Sequence, residues 1–225
     1  MTDLAALLNE RRSVRAYLPT PVPKADVTRI LKAARQAPSG ANLQPGHFVA
    51  LTGTPFATLQ TALAQAIASK RPQVSEYSYF PDPMPAHLKA RQRGAGYGLY
   101  ATLGVDRRDV VGRRAQFARN YAFFDAPVGI VVTIDRAMGK GCYMDLGMAL
   151  MSLFLAATAR GYATTGIGAL AHYGDVVHET LRLPADQLVV CGIALGLADP
   201  DAPVNTFRTD RADLADYARF EGFED

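Results

Sequence analysis

Apolar and polar positions follow two different spacings along the chain, which predicts a mixture of helices and strands. Apolar residues spaced three or four apart predict helices over residues 3–10, 24–36, 55–69, 143–160 and 175–183, with a last short helix over 211–220. Apolar runs rich in β-branched residues predict strands over residues 47–52, 127–134, 162–167 and 188–197. No repeat or break in composition divides the chain, so residues 1–225 are interpreted as one α+β domain.

One stretch departs from both spacings. Between residues 71 and 96, prolines alternate with Tyr77, Tyr79 and Phe80, which predicts an irregular excursion. Helical pieces are expected from there to about residue 119. Because long ordered loops are often lids, residues 71–110 are expected to form a lid or insertion.

Composition excludes several classes of protein. The net charge of +3 is too small for a typical nucleic-acid-binding protein, and the N-terminus lacks the pattern of a signal peptide. The most apolar segment, residues 146–159, is shorter than a bilayer span and predicts a buried helix, so no membrane partner is expected. Two cysteines in apolar surroundings favour a reducing cytoplasm, and the four histidines lack metal-ligand spacing, so no metal site is predicted.

Two polar segments near the N-terminus carry the candidate chemistry. Arg11, Arg12, Ser13 and Arg15 place three guanidinium groups and a hydroxyl within five residues, enough donors for a phosphate dianion with one cation to spare. The alternative for such a run is a solvated basic turn. Residues 37–45 form a loop of small residues, where backbone can approach a flat ligand closely. Together the segments predict a site for a phosphorylated, planar cofactor.

Both segments resemble those of the flavin mononucleotide (FMN)-dependent nitroreductases, in particular the 4-nitrobenzoate reductase-like branch. The loop follows the family pattern Pro-Ser-x-x-Asn-x-Gln-Pro, although the next residue, commonly Trp in the family, is Gly46. The resemblance implies a nitroreductase-like mixed sheet flanked by helices. It also implies an intertwined homodimer whose FMN sites draw residues from both subunits. The helix at 144–159 is then a dimer surface, a core helix, or both.

The resemblance assigns roles to the arginine run and to the loop. The first residues of the run, Arg11, Arg12 and Ser13, would bind the FMN phosphate, and Arg15 would face N1 and the C2 carbonyl of the flavin. The loop would line the flavin and its ribityl chain with Pro38, Ser39 and Gly40, and Asn42 would lie near flavin and substrate.

Further cofactor contacts are implied at four places. Asn120 would bind the pyrimidine ring, although a helix C-terminal Asn is the alternative. Gly168 and Ala169 would offer backbone N–H groups to N5 and O4, unless they serve only close packing. In the tail, Arg208 would bind the phosphate with help from Asn205; Arg211 is the alternative to Arg208.

The implied function is NAD(P)H oxidation coupled to reduction of a nitroaromatic or quinone-like acceptor, in a ping-pong cycle through flavin N5. FMN carries the chemistry, so no catalytic side chain is expected. No Gly-x-Gly-x-x-Gly motif follows a strand, so the nucleotide would bind transiently. Asn42, Tyr79, Phe80 and Tyr97 are candidate substrate contacts, the aromatics being alternatively core residues. A dehalogenating or flavin-fragmenting relative, and a non-catalytic flavin-binding protein, remain alternatives.

Overall fold

A four-stranded antiparallel sheet forms the centre of the computed structural model, which describes residues 3–74 and 76–223. The strands are β1 (His47–Leu51), β2 (Val128–Asp135), β3 (Ala163–Ile167) and β4 (Gln187–Gly196), in the order β1-β2-β4-β3. Each neighbouring pair is antiparallel. Within the described residues, parallel pairing is confined to an isolated bridge between Ser13 and Thr164, so the mixed character expected of the sheet is limited to that bridge.

Helices cover both faces of this sheet. They are α1 (Leu4–Glu10), α2 (Lys24–Ala34), α3 (Gly53–Ala68), α4 (Ala86–Thr102), α5 (Val110–Ala118), α6 (Lys140–Thr158) and α7 (Gly174–Leu181). Side chains of β2 alternate between the faces: Ile130 and Val132 pack in the core under α2 and α6, and Val131 packs in the core under α3 and α7. The α+β class is confirmed.

Two sequence predictions are wrong in detail. Helix α4 begins directly after Pro85, inside the segment predicted to be irregular, because no further proline interrupts residues 86–102. The helix predicted over residues 211–220 is only a 3₁₀ turn, Leu214–Asp216. Leu214 and Tyr217 stay 52% and 72% exposed, and a short helix that buries no apolar face is marginal in water. Ser75, within the predicted lid, lies outside the described residues.

Helix α6 has one buried and one exposed apolar face. Leu146, Leu153 and Ala157 are buried in the core, whereas Met144 is 71% and Met148 40% exposed. By length and composition alone α6 could cross a membrane, a property that core helices share. The geometry fits both interpretations made from the sequence, a core helix and a surface available to a partner.

Candidate functional site

The arginine run is an extended strap alongside β3. Val14 is buried, its N–H donates to Thr164 O at 3.1 Å, and its carbonyl accepts the Thr165 hydroxyl. Three residues further on, Tyr17 pairs with Ala198. Burial of Val14 and Tyr17 fixes the strap, and Arg11, Arg12, Ser13 and Arg15 line a cavity beside it.

Asn205 ties this strap to the C-terminal tail. It is 5% exposed in the 3₁₀ turn Pro203–Thr206. Its Oδ1 accepts the Arg15 N–H at 2.9 Å, and its Nδ2 donates to Ala16 O and Asp199 O, both at 2.9 Å. The amide is thus committed to backbone, and Asn205 is not among the residues that line the neighbouring cavity. The sequence predicted that Asn205 helps to bind the phosphate; in the structure its amide instead holds the strap to the tail.

Strap, tail and α4 enclose a cavity of about 400 Å³, called here the arginine cavity. It is lined by Leu8, Asn9, Arg11, Arg12, Ser13, Arg15, Ala95, Gly96, Leu99, Phe207, Arg208, Thr209 and Arg211. Five guanidinium groups from opposite ends of the chain therefore converge on one space. Of the described residues no carboxylate lines it, and none of these arginines forms an ion pair within residues 3–74 and 76–223.

The electrostatics of this cavity favour an anion. Burial, followed by the charge of Arg211, lowers the pKa of Arg11; burial, followed by the charge of Arg12, lowers the pKa of Arg208. Burial also lowers the pKa of Arg15. In addition, the Nε of Arg12 is buried with no partner among the described atoms. A bound dianion would relieve this like-charge repulsion and desolvation, so the residues fit a phosphate.

Both candidate tail arginines, Arg208 and Arg211, line the cavity, so the structure does not force a choice between them. Arg208 is held in place by its Nη1, which donates to Asn205 O and Phe207 O, each at 3.1 Å.

A second cavity, of about 470 Å³, begins where β3 ends and is called here the aromatic cavity. It is lined by Val74, Glu76, Tyr77, Ser78, Tyr79, Phe80, Phe117, Asn120, Gly168, Ala169, Ala171 and His172. A methyl group at Gly168 would lie only 3.2 Å from Tyr79 Cε2, so the Tyr79 ring covers this glycine. The structure thus brings together five of the predicted site residues: Tyr79, Phe80, Asn120, Gly168 and Ala169.

Tyr97 is not part of either cavity. It lies on α4 with the Arg107 guanidinium 4.3 Å from its ring centroid. The prediction that Tyr97 contacts a substrate therefore has no support within one chain.

The two cavities lie at opposite ends of β3. Ser13 pairs with Thr164, and Gly168 follows four residues later, a span of about 13 Å along an extended strand. The guanidiniums of Arg15, which lines the arginine cavity, and of Arg119, which precedes Asn120 of the aromatic cavity, each lie 5.9 Å from the centroid of the Phe124 ring. An elongated ligand with a phosphate at one end could therefore place a flat group near Gly168.

The loop at residues 38–45 lies elsewhere in the same chain. Gly40 N–H donates to Asp145 Oδ2 of α6 at 3.1 Å, and Pro38 and Ser39 line a small pocket beside Asp145. Asn42 is exposed. None of Pro38, Ser39, Gly40 and Asn42 lines the arginine cavity or the aromatic cavity, so one chain alone does not assemble the site the sequence predicted.

Backbone conformation in this loop is unusual. Ala41, Asn42 and Gln44 have φ of 48°, 57° and 49°, in the left-handed region that costs a non-glycine residue about 1–2 kcal/mol. Gly46 has φ of 93°, and a methyl group there would lie 2.5 Å from Leu146 Cδ1. Gly46 occupies the position that is commonly Trp in the family, and here Leu146 fills the space in which a side chain would lie.

A family model decides the classification. The model described as "Nitroreductase family" matches residues 8–197, which is most of the chain. The chain belongs to the nitroreductase family. This confirms the resemblance drawn from the two motifs, and with it the enzyme class: a nitroreductase-family oxidoreductase.

Relatives agree over nearly the full length. A 4-nitrobenzoate reductase from Pseudomonas putida is 35% identical over 222 residues, covering 99% of this chain and 97% of the relative. A chloronitrobenzene nitroreductase from Comamonas testosteroni is 35% identical over 215 residues, covering 95% of each. A crystal structure described as FMN- and NADPH-dependent nitroreductase NfnB, from Sphigopyxis sp. strain HMH, is 38% identical with a TM-score of 0.96, covering 98% of this chain and 100% of that one.

Several residues of this nitroreductase-family site escaped the sequence analysis. Arg35 donates to Gln44 O at 2.5 Å and to Gly46 O at 2.8 Å, and so fixes the loop. Its position at the end of α2, directly before the small-residue loop, was a usable signal. The ion pair between Glu76 and Arg136 joins residues 60 positions apart, and no local pattern indicates it.

Proposed function

We propose that this nitroreductase-family protein binds FMN and uses NAD(P)H to reduce nitroaromatic or quinone-like acceptors. The observation that carries the proposal is the convergence of five guanidiniums from both ends of the chain on a cavity without a described carboxylate. Similarity to an enzyme described as FMN- and NADPH-dependent supports it.

The chain supplies a phosphate site and an approach to the flavin ring. Arg11, Arg12, Ser13, Arg208 and Arg211 would hold the phosphate. Arg15, at the end of the arginine cavity nearer Phe124, would face the pyrimidine edge, where its charge stabilises negative charge that builds up during reduction. Held by these residues, FMN would supply hydride transfer from NAD(P)H to the acceptor in a ping-pong cycle.

Backbone and amide groups near the aromatic cavity would orient the ring. Gly168 and Ala169 begin a 3₁₀ turn, Gly168–Tyr173, whose first N–H groups have no partner within the turn. They would donate to the flavin edge carrying N5 and O4. The Asn120 Nδ2 donates to Phe117 O at 2.7 Å, and the amide's remaining N–H and its oxygen would suit the alternating groups of the pyrimidine ring.

A homodimer would complete the site. The loop at residues 38–45 is anchored to Asp145 on α6, the helix that exposes Met144 and Met148. A partner packed on that face would meet the loop as well. Pro38, Ser39, Gly40 and Asn42 of one protomer would then line the flavin held by the arginine cavity of the other.

Residues 71–110 would act as the lid that selects the acceptor. Tyr79 and Phe80 are 66% and 54% exposed at the aromatic cavity, with ring centroids 4.8 Å apart, and would stack on a planar acceptor. Tyr97 would contribute only through a rearrangement of α4 or from a partner.

Stepwise reduction tests the function. The protein is reconstituted with FMN, mixed anaerobically with NADPH or NADH, separated from the nucleotide, and then mixed with nitrobenzene or a benzoquinone. Bleaching of the flavin absorbance in the first step and its return in the second is expected. A yellow protein that neither nucleotide bleaches would contradict the proposal and indicate a flavin-binding protein without this activity.

A further inference from the structure

We propose that the aromatic cavity selects uncharged nitroaromatic acceptors and disfavours those that carry a carboxylate. This inference rests on the proposed function. Similarity does not decide the question, because the 4-nitrobenzoate reductase and the chloronitrobenzene nitroreductase described above are each 35% identical to this chain. Their names point to an anionic substrate in one case and an uncharged one in the other.

The wall of the aromatic cavity offers no free cation. Its described lining contains neither lysine nor arginine, and its titratable groups are Glu76, His172 and two tyrosines. The rest of the wall is apolar or neutral, and its one buried side-chain atom without a partner among the described atoms is His172 Nδ1. Moving a carboxylate from water into such surroundings without a partner costs several kcal/mol. A neutral ring of the same shape avoids that cost.

Two arginines adjacent to lining residues already form ion pairs. Arg136 Nη2 donates to Glu76 Oε1 at 2.5 Å, and the Glu76 side chain is only 14% exposed. On the other side of the cavity, next to Asn120, Arg119 pairs with Asp125 at 3.2 Å. A carboxylate on an acceptor would therefore meet Glu76, whose charge is balanced by Arg136, and find no guanidinium among the described residues that line the cavity.

Glu76 also holds the segment that carries the aromatic residues. Strand β3 pairs with β4 only from Gly192 to Gly196. On this side of β4, the preceding residues 187–191 therefore have no strand partner among the described residues. Glu76 Oε2 accepts the Val189 N–H at 3.1 Å, and Tyr77 Oη donates to Val190 O at 2.6 Å. The paired carboxylate of Glu76 is thus fixed in the segment that carries Tyr79 and Phe80, with its charge already balanced by Arg136.

The test uses two acceptors of nearly equal shape, 4-nitrobenzoate and 4-nitrobenzamide. NADPH-supported kcat/KM is measured for each with the FMN-loaded protein. We expect the benzamide to be favoured at least about tenfold, equivalent to about 1.4 kcal/mol. Equal or better use of the benzoate would overturn the inference. Reduction of neither compound would refute the proposed function, and the selectivity with it.

Charge variants separate this effect from the different intrinsic reactivity of the two compounds. Glu76→Gln keeps an oxygen for the Val189 N–H but frees Arg136, so the benzoate-to-benzamide ratio of kcat/KM is expected to rise about tenfold. Arg136→Gln leaves Glu76 uncompensated and is expected to lower that ratio. The matched control is Arg29→Gln, which removes an exposed ion pair on α2 and should leave the ratio unchanged. If both cavity variants keep the wild-type ratio, the charge of Glu76 and Arg136 does not set selectivity.

Discussion

Asn205 is a buried amide that holds two walls of the arginine cavity together without lining it. Two of its hydrogen bonds fasten the strap that carries Arg15 to the tail that carries Arg208, and a third binds Asp199 O. The residue types of the arginine run and tail indicate phosphate binding from the sequence alone. The sequence could not predict that the Asn205 amide is hydrogen-bonded to backbone, because its partners at Arg15 and Ala16 are about 190 positions away.

Asn205→Ala is expected to lower the free energy of unfolding by about 2–4 kcal/mol, because it leaves buried backbone groups without partners. FMN affinity should fall with it, since strap and tail are no longer held together. Urea denaturation measures the first effect and flavin titration the second. Thr206→Ala, at an exposed position in the same 3₁₀ turn, should change stability by less than about 1 kcal/mol. Equal effects from both variants would contradict the role given to Asn205.

The two cysteines should differ in reactivity. Burial raises the pKa of Cys191 to about 12 from 9.0, whereas Cys142 is only half-buried on α6. The thiolate is the reactive form, so at pH 8 a thiol reagent is expected to label Cys142 and to reach Cys191 only after unfolding. Mass spectrometry of the labelled peptides reads this out. Equal labelling of both thiols in the native protein would contradict the buried setting of Cys191.

At the scale of elements, the loop at residues 38–45 depends on a helix end. The guanidinium of Arg35, just after α2, donates to carbonyls on the far side of this loop. The left-handed conformations of Ala41, Asn42 and Gln44 therefore rest on contacts that the loop does not itself provide.

Arg35→Met is expected to weaken FMN binding about tenfold, because hydrogen bonds from a charged donor are each worth about 1.5–3 kcal/mol and the loop would lose its conformation. Flavin titration measures the change. Arg29→Met, on the exposed side of the same helix, should bind FMN as the wild type does. If Arg35→Met binds FMN with unchanged affinity, the loop does not contribute to the flavin site.

Helices and strands were predictable from the sequence where their buried residues form a regular apolar pattern. The apolar runs of β2 and β4 and the stripe of α2 place those elements to within a few residues. Helix α4 leaves no such pattern, because none of its residues is buried. The tail has apolar residues at helical spacing, yet nothing among the described residues covers them, and the predicted helix does not form there.

At the scale of the whole molecule, the loop at residues 38–45 and the arginine cavity lie in separate places within one chain. Sequence motifs indicate what both segments bind, but only the fold shows that one chain keeps them apart. The balance between Glu76 and Arg136 is likewise a property of the folded molecule. The exposed face of α6 lies beside the loop and gives a physical reason for assembly.

Met144→Glu is expected to disrupt the proposed homodimer and to weaken FMN binding at the same time, because burying a charge on the apolar face of α6 is unfavourable. Size-exclusion chromatography with light scattering gives the mass, and flavin absorbance gives the bound FMN. Val111→Glu, at a 78% exposed position on α5, should alter neither. A Met144→Glu monomer that binds FMN normally would contradict a shared site.

The most direct measurement compares the dissociation constants of FMN and riboflavin, which lacks the phosphate. With guanidiniums of both chain ends on the phosphate, FMN should bind at least about 100-fold more tightly. Arg208→Ala should reduce that preference about tenfold and leave riboflavin binding unchanged, whereas Arg219→Ala, at an 84% exposed side chain, should change neither. Riboflavin binding as tightly as FMN would contradict the phosphate site in the arginine cavity.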